Sequence, residues 1–429
     1  MKRLLARFCI IGLVLTVFGC GEPKKPANEI SVWHWMTDRE EALATLARKY
    51  EQTTGIKVKF ALFAPSDAYS QKIIAAAQAN VLPDVYGILD KKGIMAAFIK
   101  EGYVADLTAD FQADAGAWEN SLYAKAIDNN RFVEGNANSV KPGIYGVPID
   151  VSNMQMVYNR ALLKKAGIVK PPATFEDFLS AVQALKRVGI APFVTGFGER
   201  WIVDCFASNY AFNIMGEEKV MATFRGDVPY TDQDWITVFT VFQRLADNGA
   251  FIEGIVTKGN KYAEQDFALE RAAFSFDGSW GVNIYKTMND KLDYGVAPLP
   301  AVTPDRPMKV WGGAGSSFVV NDKSANKAKA IAFLKWLTAK EQQAFLAEET
   351  HNLPANREAG TVVTKVLGDF AKAMENSTHP SIWALNEDPV VVEAFVKEIQ
   401  AIMIGEKTPL QAAQEIQKVK AHQLEKTKH

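Results

Sequence analysis

The chain has 429 residues, 48% of them hydrophobic and 23% charged, with a formal net charge of −1. That length exceeds what one hydrophobic core usually serves, so two lobes are expected, and the near-neutral balance points to neither nucleic acid nor an anionic surface as a partner. Five dispersed histidines and three cysteines give no local support to a zinc site or a Ser-His-Asp triad.

At the N-terminus, Lys2, Arg3 and Arg7 surround the start of an uncharged apolar run, Phe8 to Phe18. It is too short for a membrane span of roughly 20 residues and has the length and basic flank of a secretory signal. The run ends Val17-Phe18-Gly19-Cys20, which resembles a lipobox, with Phe18 standing where a small residue is usual. An ordinary signal peptide with an incidental cysteine is the alternative. The polar, proline-containing stretch after Cys20 reads as a tether. The expectation is a signal peptide over 1–19, a lipid on Cys20, a tether over 20–28, and a protein secreted across the cytoplasmic membrane and anchored in the periplasm or at the cell surface. Loss of the three basic leader residues takes the formal charge to about −4. With Cys9 removed and Cys20 lipidated, Cys205 is left as a lone thiol, more readily a small buried apolar residue than a nucleophile.

Ile30 to Trp35 is rich in β-branched and aromatic residues and reads as a strand. Asp38 stands three residues before Glu41 as in a capping box, and Leu43, Leu46, Ala47 and Tyr50 recur at helical spacing before Gly55. Ile56, Val58, Phe60 and Leu62 form a second strand, a helix runs from about Asp67 to Asn80, and Asp84 to Leu89 is a third strand. This β-α-β-α-β order implies a mainly parallel sheet covered on both faces, with ligands taken beyond the carboxyl ends of its strands. Loops 35–38, 64–69 and 89–92 lie there. Further on, Thr195-Gly196-Phe197-Gly198-Glu199-Arg200-Trp201 is a glycine-punctuated loop that would let backbone approach a ligand closely.

The run Pro148-Ile149-Asp150-Val151-Ser152-Asn153-Met154-Gln155-Met156-Val157-Tyr158-Asn159 resembles the signature of the family 1 extracellular solute-binding proteins of ABC importers, the maltose and multiple-sugar type. Only Gln155 departs from it. Tyr50-Glu51, Thr54 to Val58, Leu82 to Val85, Ala272 to Phe274, Gly278 to Trp280 and Gly295 to Pro300 follow in that family's order, so the resemblance covers nearly the whole mature chain. It implies an α/β, periplasmic-binding-protein-like (class II) fold, with two α/β lobes, a hinge of three crossings and a central ligand cleft. By analogy the crossings fall near 150–152, 307–311 and 352–355. Lobe 1 is then 29–149 plus 312–351, and lobe 2 is 153–308 plus 355–429. The implied activity is capture of a solute by hinge closure and delivery to an ABC permease, by a monomer without cofactor or metal.

A carbohydrate receptor needs flat aromatic faces for stacking and planar polar groups that satisfy several hydroxyls together. Leaving one such buried group unpaired costs about 1–3 kcal/mol, which is how a cleft discriminates. Candidate ligand-binding residues are therefore Trp35, Asp67 and Asp90 at strand ends of the first lobe, Asp150 at the first crossing, and Trp201 in the glycine loop. Tyr69, near Asp67, could stack or donate. The resemblance adds Asp277 and Trp280 at a strand-turn-helix junction; Trp311 and Gly313 in the return segment and Trp383 near the C-terminus complete the set. Plainer readings stay open: Trp35 as core, Asp67 as a helix cap, Asp150 as hinge, Trp201 and Trp383 as packing. A phosphate cradle at Trp311 to Ser317 would need a helix immediately after it, where Phe318 to Asn321 reads as strand. Two other functions remain, the same receptor for a polyamine, glycerol phosphate or metal, with Arg200 and Arg357 as candidate anion partners, and a secreted glycoside-acting enzyme using paired carboxylates.

Overall fold

The computed structural model describes residues 28–89, 92–136, 138–313, 315–359, 364–379, 381 and 386–426. The leader, Cys20, most of the tether, Asp90 and Trp383 lie outside the described residues. In chain order the strands are β1 (Glu29–His34), β2 (Lys57–Leu62), β3 (Val85–Gly87), β4 (Arg131–Phe132), β5 (Gly143–Ile144), β6 (Val147–Pro148), β7 (Asp150–Val151), β8 (Asn153–Asn159), β9 (Ala191–Val194), β10 (Ala272–Gly278), β11 (Tyr294–Ala297), β12 (Trp311–Gly312), β13 (Ser317–Val320) and β14 (Leu353–Pro354). They build two α/β lobes.

The first lobe's sheet runs β2-β1-β3-β13-β6, parallel from β2 to β3 and antiparallel at β13. Helix Glu40–Thr54 buries Leu43, Leu46, Ala47 and Tyr50 against it and stops at Gly55, whose φ of 72° is the left-handed conformation glycine adopts freely. Asp38 does not cap this helix. The N-cap residue is Arg39, without a side-chain capping bond, because the Asp38 carboxylate is taken up by Arg39 and Asn352.

The second sheet runs β11-β8-β10-β9, with β12 also on β8. The signature run Asn153 to Asn159 is its inner strand β8, buried almost throughout, which explains a sequence that is apolar or amide-bearing at nearly every position. Gln155, the departure from the signature, spends its amide on Asn153 Oδ1 at 2.8 Å. Helices Arg200–Met215, Gln233–Asp247, Pro389–Met403 and Pro409–Lys426 complete this lobe around Phe178, Phe193, Phe206, Phe242, Phe274 and Phe276. Each such buried ring contributes roughly 1.5–3 kcal/mol. Cys205 is buried among them. Among the described residues no helix is long and apolar enough to cross a membrane.

β7 pairs antiparallel with β14, Asp150 opposite Pro354 and Val151 opposite Leu353, so the two segments expected to cross at 150–152 and 352–355 are paired with each other. The segment expected to cross at 307–311 leads into β12. Trp311 and Gly312 still pair with Met154 and Asn153 of the second sheet, and the chain joins the first sheet only at Ser317. At that turn a Cβ on Gly315 would collide with Asp150, and one on Gly313 would meet Ser377 Oγ at 2.7 Å. Gly313 and Gly315 thus make room for neighbouring protein atoms.

Asp150 ties these segments together. It is 3% exposed, forms an ion pair with Arg39 and accepts a hydrogen bond from the Ser316 N–H. Arg39 reaches Asp38 through Nε at 3.2 Å, and Asn352 donates to the same Asp38 oxygen at 2.9 Å. Nearby, the buried Gln343 donates to Ile149 O at 3.0 Å and accepts from Ala355 N at 2.7 Å. Burial works against the Arg39 charge, but Asp150 and Asp38 outweigh it and hold the guanidinium protonated. Arg39→Met leaves two buried carboxylates without their cation and should destabilise the protein by about 3–5 kcal/mol in urea unfolding. A double-mutant cycle with Asp150→Asn should return a coupling of more than about 1 kcal/mol; additive losses would mean the two groups act independently.

Candidate ligand-binding cleft

Strand β10 ends at Gly278, and Trp280 is the N-cap residue of helix Gly281–Met288. The sequence Gly278-Ser279-Trp280 works sterically, since a Cβ on Gly278 would strike the Trp280 ring, which folds back over the strand end. Trp201, in the first turn of helix Arg200–Met215, brings its ring to 5.9 Å from that of Trp280 at an angle of 53°. Both rings are half-buried. The glycines of the loop before Trp201 face protein instead of a ligand. A Cβ on Gly196 would come within 2.6 Å of Asn260 Cα and one on Gly198 within 2.6 Å of Thr257 C, and the Gly198 N–H donates to Lys258 O at 2.9 Å.

Each indole N–H meets a carboxylate. Trp201 Nε1 donates to Glu199 at 2.9 Å and Trp280 Nε1 to Glu264 at 3.2 Å. Glu264 is buried and also accepts from Asn260 at 2.7 Å and from Lys261 at 2.9 Å. Burial pushes its carboxyl up, against the pull of Lys261. Asp277 lies beneath, fully buried, accepting from the Gly278 N–H at 2.8 Å and joined to the Tyr285 hydroxyl. Burial first, and then Glu264, raise Asp277 well above the usual carboxylate range. Its place is behind the indole wall.

On the first lobe, Trp35 follows β1, packs over Gly87 where a Cβ would collide with it, and has its ring 5.3 Å from Tyr69. Tyr69 is fully buried and spends its hydroxyl on Trp33 O at 3.0 Å and Gly87 at 2.9 Å, so it is a support for Trp35, not a donor to a solute. Asp67 sits in the first turn of helix Ser66–Gln78. The lobes touch where Asn283 donates to Asp38 O at 3.3 Å, where Lys286 meets His351 at 2.8 Å, and where Lys125 donates to Ser377 at 2.9 Å.

The structure thus brings Trp201, Trp280 and Asp277 together, sets Trp35 on the other lobe, and pairs Asp150 with Arg39 and Ser316. Trp311 and Gly313 form a separate group with residues 377–379. The Trp311 ring lies 4.9 Å from that of His379 at 75°, and its Nε1 is buried without a hydrogen-bond partner. Arg200 is an exposed partner of Glu393 at 2.9 Å. Among the described residues no group of three or more His, Cys, Asp or Glu could hold a metal ion. Sequence reasoning missed Arg39, Glu199, Asn260, Lys261 and Glu264; only Glu199, inside the loop that carries Trp201, offered a local signal.

The profile of the family described as bacterial extracellular solute-binding protein matches residues 35–344. The chain belongs to that family. This solute-binding protein is 24% identical over 398 residues to the maltooligosaccharide ABC transporter solute-binding lipoprotein of Streptococcus pneumoniae strain R6, covering 83% of this chain and 80% of that one. It is 23% identical over 440 residues to the diacetylchitobiose binding protein DasA of Streptomyces coelicolor, covering 97% of each. A solved chitin oligosaccharide binding protein superposes with a TM-score of 0.79 over 92% of this chain and 98% of that chain, at 21% identity. That likeness is one of fold, the class II periplasmic-binding-protein architecture. The family is one of receptors, not enzymes, so the cleft is read for recognition.

The buried acid of this solute-binding protein gives a pH signature. A carboxyl whose folded-state pKa is raised contributes its full stability only below its unfolded value and loses it as pH rises through the folded one. Asp277→Asn removes that loss while keeping the shape. Its melting temperature relative to the parent should therefore be higher at about pH 8 than at about pH 5 in scanning calorimetry, and an equal difference at both would show that the Asp277 carboxyl is ionised in the folded state over that range, its pKa not raised.

Proposed function

We propose that this solute-binding protein captures a carbohydrate between its lobes and presents the closed form to an ABC permease. The observation that carries the reading is the Trp201–Trp280 corner, two half-buried indoles whose rings are 5.9 Å apart and whose polar edges are already bonded to carboxylates. With the N–H edges engaged, what the rings offer a solute is their faces, and a sugar's weakly apolar C–H faces suit them. Trp35 adds an indole from the first lobe, so that closure brings aromatic surface from both sides. The curated relatives named above are described as binding maltooligosaccharide and diacetylchitobiose, which supports the same class.

Charge argues against an anionic solute. Arg39 is matched by Asp150 and Asp38, Lys261 by Glu264, and Arg200 by Glu393, so these cations are already neutralised. Closure is the family's expected mode: a ligand that contacts both lobes shifts the population toward the closed form, which a permease then recognises. A lipid on Cys20 would hold the receptor near that permease.

A thermal-shift screen across mono- and oligosaccharides, polyamines and glycerol phosphates tests the ligand class. Saccharides alone should stabilise the protein, by about 2.7 kcal/mol at a concentration 100 times Kd; stabilisation by a polyamine instead would overturn the sugar reading. Trp280→Ala should weaken binding of the best saccharide more than tenfold, roughly 1.4 kcal/mol, and unchanged affinity would remove Trp280 from the site. Cys20→Ser should release the protein from the membrane fraction into the soluble one; equal partitioning of both forms would exclude a lipid at this position.

A further inference from the structure

We infer that Asn260, Glu199 and Glu264 form a positioning layer that sets the angle between the two cleft indoles, with Asn260 as its hub. The bonds make one continuous path. Trp201 Nε1 donates to one oxygen of Glu199, and the other accepts from the Asn260 backbone N–H at 2.7 Å. The Asn260 side-chain amide donates at 2.7 Å to Glu264 Oε1, which also accepts from Trp280 Nε1. Asn260 is 5% exposed and Glu264 1% exposed, so the hub is shielded from water. Its backbone is fixed from behind, because Gly196 and Gly198 let their loop close onto residues 257–260.

A half-buried indole free to turn about its side-chain torsions presents no single face. Tethering its N–H leaves one ring orientation, and the ordering is done before a ligand arrives. The carboxylates also polarise the indoles through their N–H bonds, which makes the ring faces more negative and better partners for C–H groups. The roles of these three residues rest on the proposal that Trp201 and Trp280 stack on a sugar. Their effect on the indoles themselves does not, and the experiment separates the two.

Two indoles at this separation couple optically. The couplet is isolated as the difference between the circular dichroism of the protein and that of its Trp201→Phe variant, recorded without ligand. Each compared with its own Trp201→Phe double variant, Glu264→Ala should lose most of that couplet, and Asn260→Ala, which cuts only the side-chain link to Glu264, should reduce it measurably. Both should also bind maltotriose or N,N′-diacetylchitobiose, whichever the parent binds, about 3- to 10-fold more weakly. Glu264→Gln keeps the Oε1 acceptor that serves both Asn260 and Trp280 and gives up only the Lys261 ion pair, so it should restore couplet and affinity together. An unchanged couplet in Asn260→Ala, or a Glu264→Gln that behaves like Glu264→Ala, would overturn the inference. Should Glu264→Ala fail to fold, Asn260→Ala decides alone. If the parent binds neither sugar while the couplet responds as described, the positioning layer stands and the sugar reading is what fails.

Discussion

The Arg39–Asp150 ion pair is the constraint on which the two-lobed shape turns. Burying two charges costs several kcal/mol each, and their attraction roughly offsets that cost only if the remaining hydrogen-bonding capacity is also met. Here Asp38 accepts from Arg39 and from Asn352, and Ser316 donates to Asp150. The groups come from four separate pieces of chain, at Asp38–Arg39, Asp150, Ser316 and Asn352, so the cost is met only when those pieces are assembled in one register. The pair therefore specifies the hinge more than it stabilises it. It also places Asp38, its immediate neighbour, at the contact with Asn283 of the second lobe.

Much of this architecture is legible in the sequence because its periods are local. The Leu43, Leu46, Ala47, Tyr50 stripe and the alternation through Val58 and Phe60 are set by contacts within a few residues, and the run from Asn153 to Asn159 is apolar or amide-bearing because β8 has neighbours on both sides. What sequence reading misplaces is decided by distant partners. That Trp311 and Gly312 pair with Met154 and Asn153 is visible only in the fold. Asp38 reads as a cap until Arg39 and Asn352 claim it. Gly196 and Gly198 read as ligand-facing until the backbone of 257–260 is found against them.

The cleft follows the same division. Trp201 and Trp280 stand out in the sequence because an aromatic residue just after a glycine turn at a strand end is conspicuous. Asn260, Lys261 and Glu264 do not, since Asn-Lys-Tyr-Ala-Glu at a helix start has the composition of any solvated surface. Glu264 is nonetheless buried, and the reason is three donors converging from Asn260, Lys261 and Trp280. Two of those donors are local to its own helix, and the third, from the end of β10, is what turns a surface-like sequence into an interior site.

Helix Gly281–Met288 joins these two parts of the molecule. Trp280, Asn283 and Lys286 follow one another at three-residue spacing, which keeps them on one side of the helix. The first borders Trp201, the second meets Asp38, and the third meets His351 beside the last crossing. Each of the two polar contacts is worth only about 0.5–1.5 kcal/mol net, far less than the roughly 5.5 kcal/mol that moves a two-state equilibrium from 1:99 to 99:1. Contacts that weak cannot hold the lobes together by themselves. Because both come from the helix that Trp280 caps, the proposed stacking of a solute on that indole would act on the element that makes two of the lobe-to-lobe bonds, Lys125 with Ser377 being another.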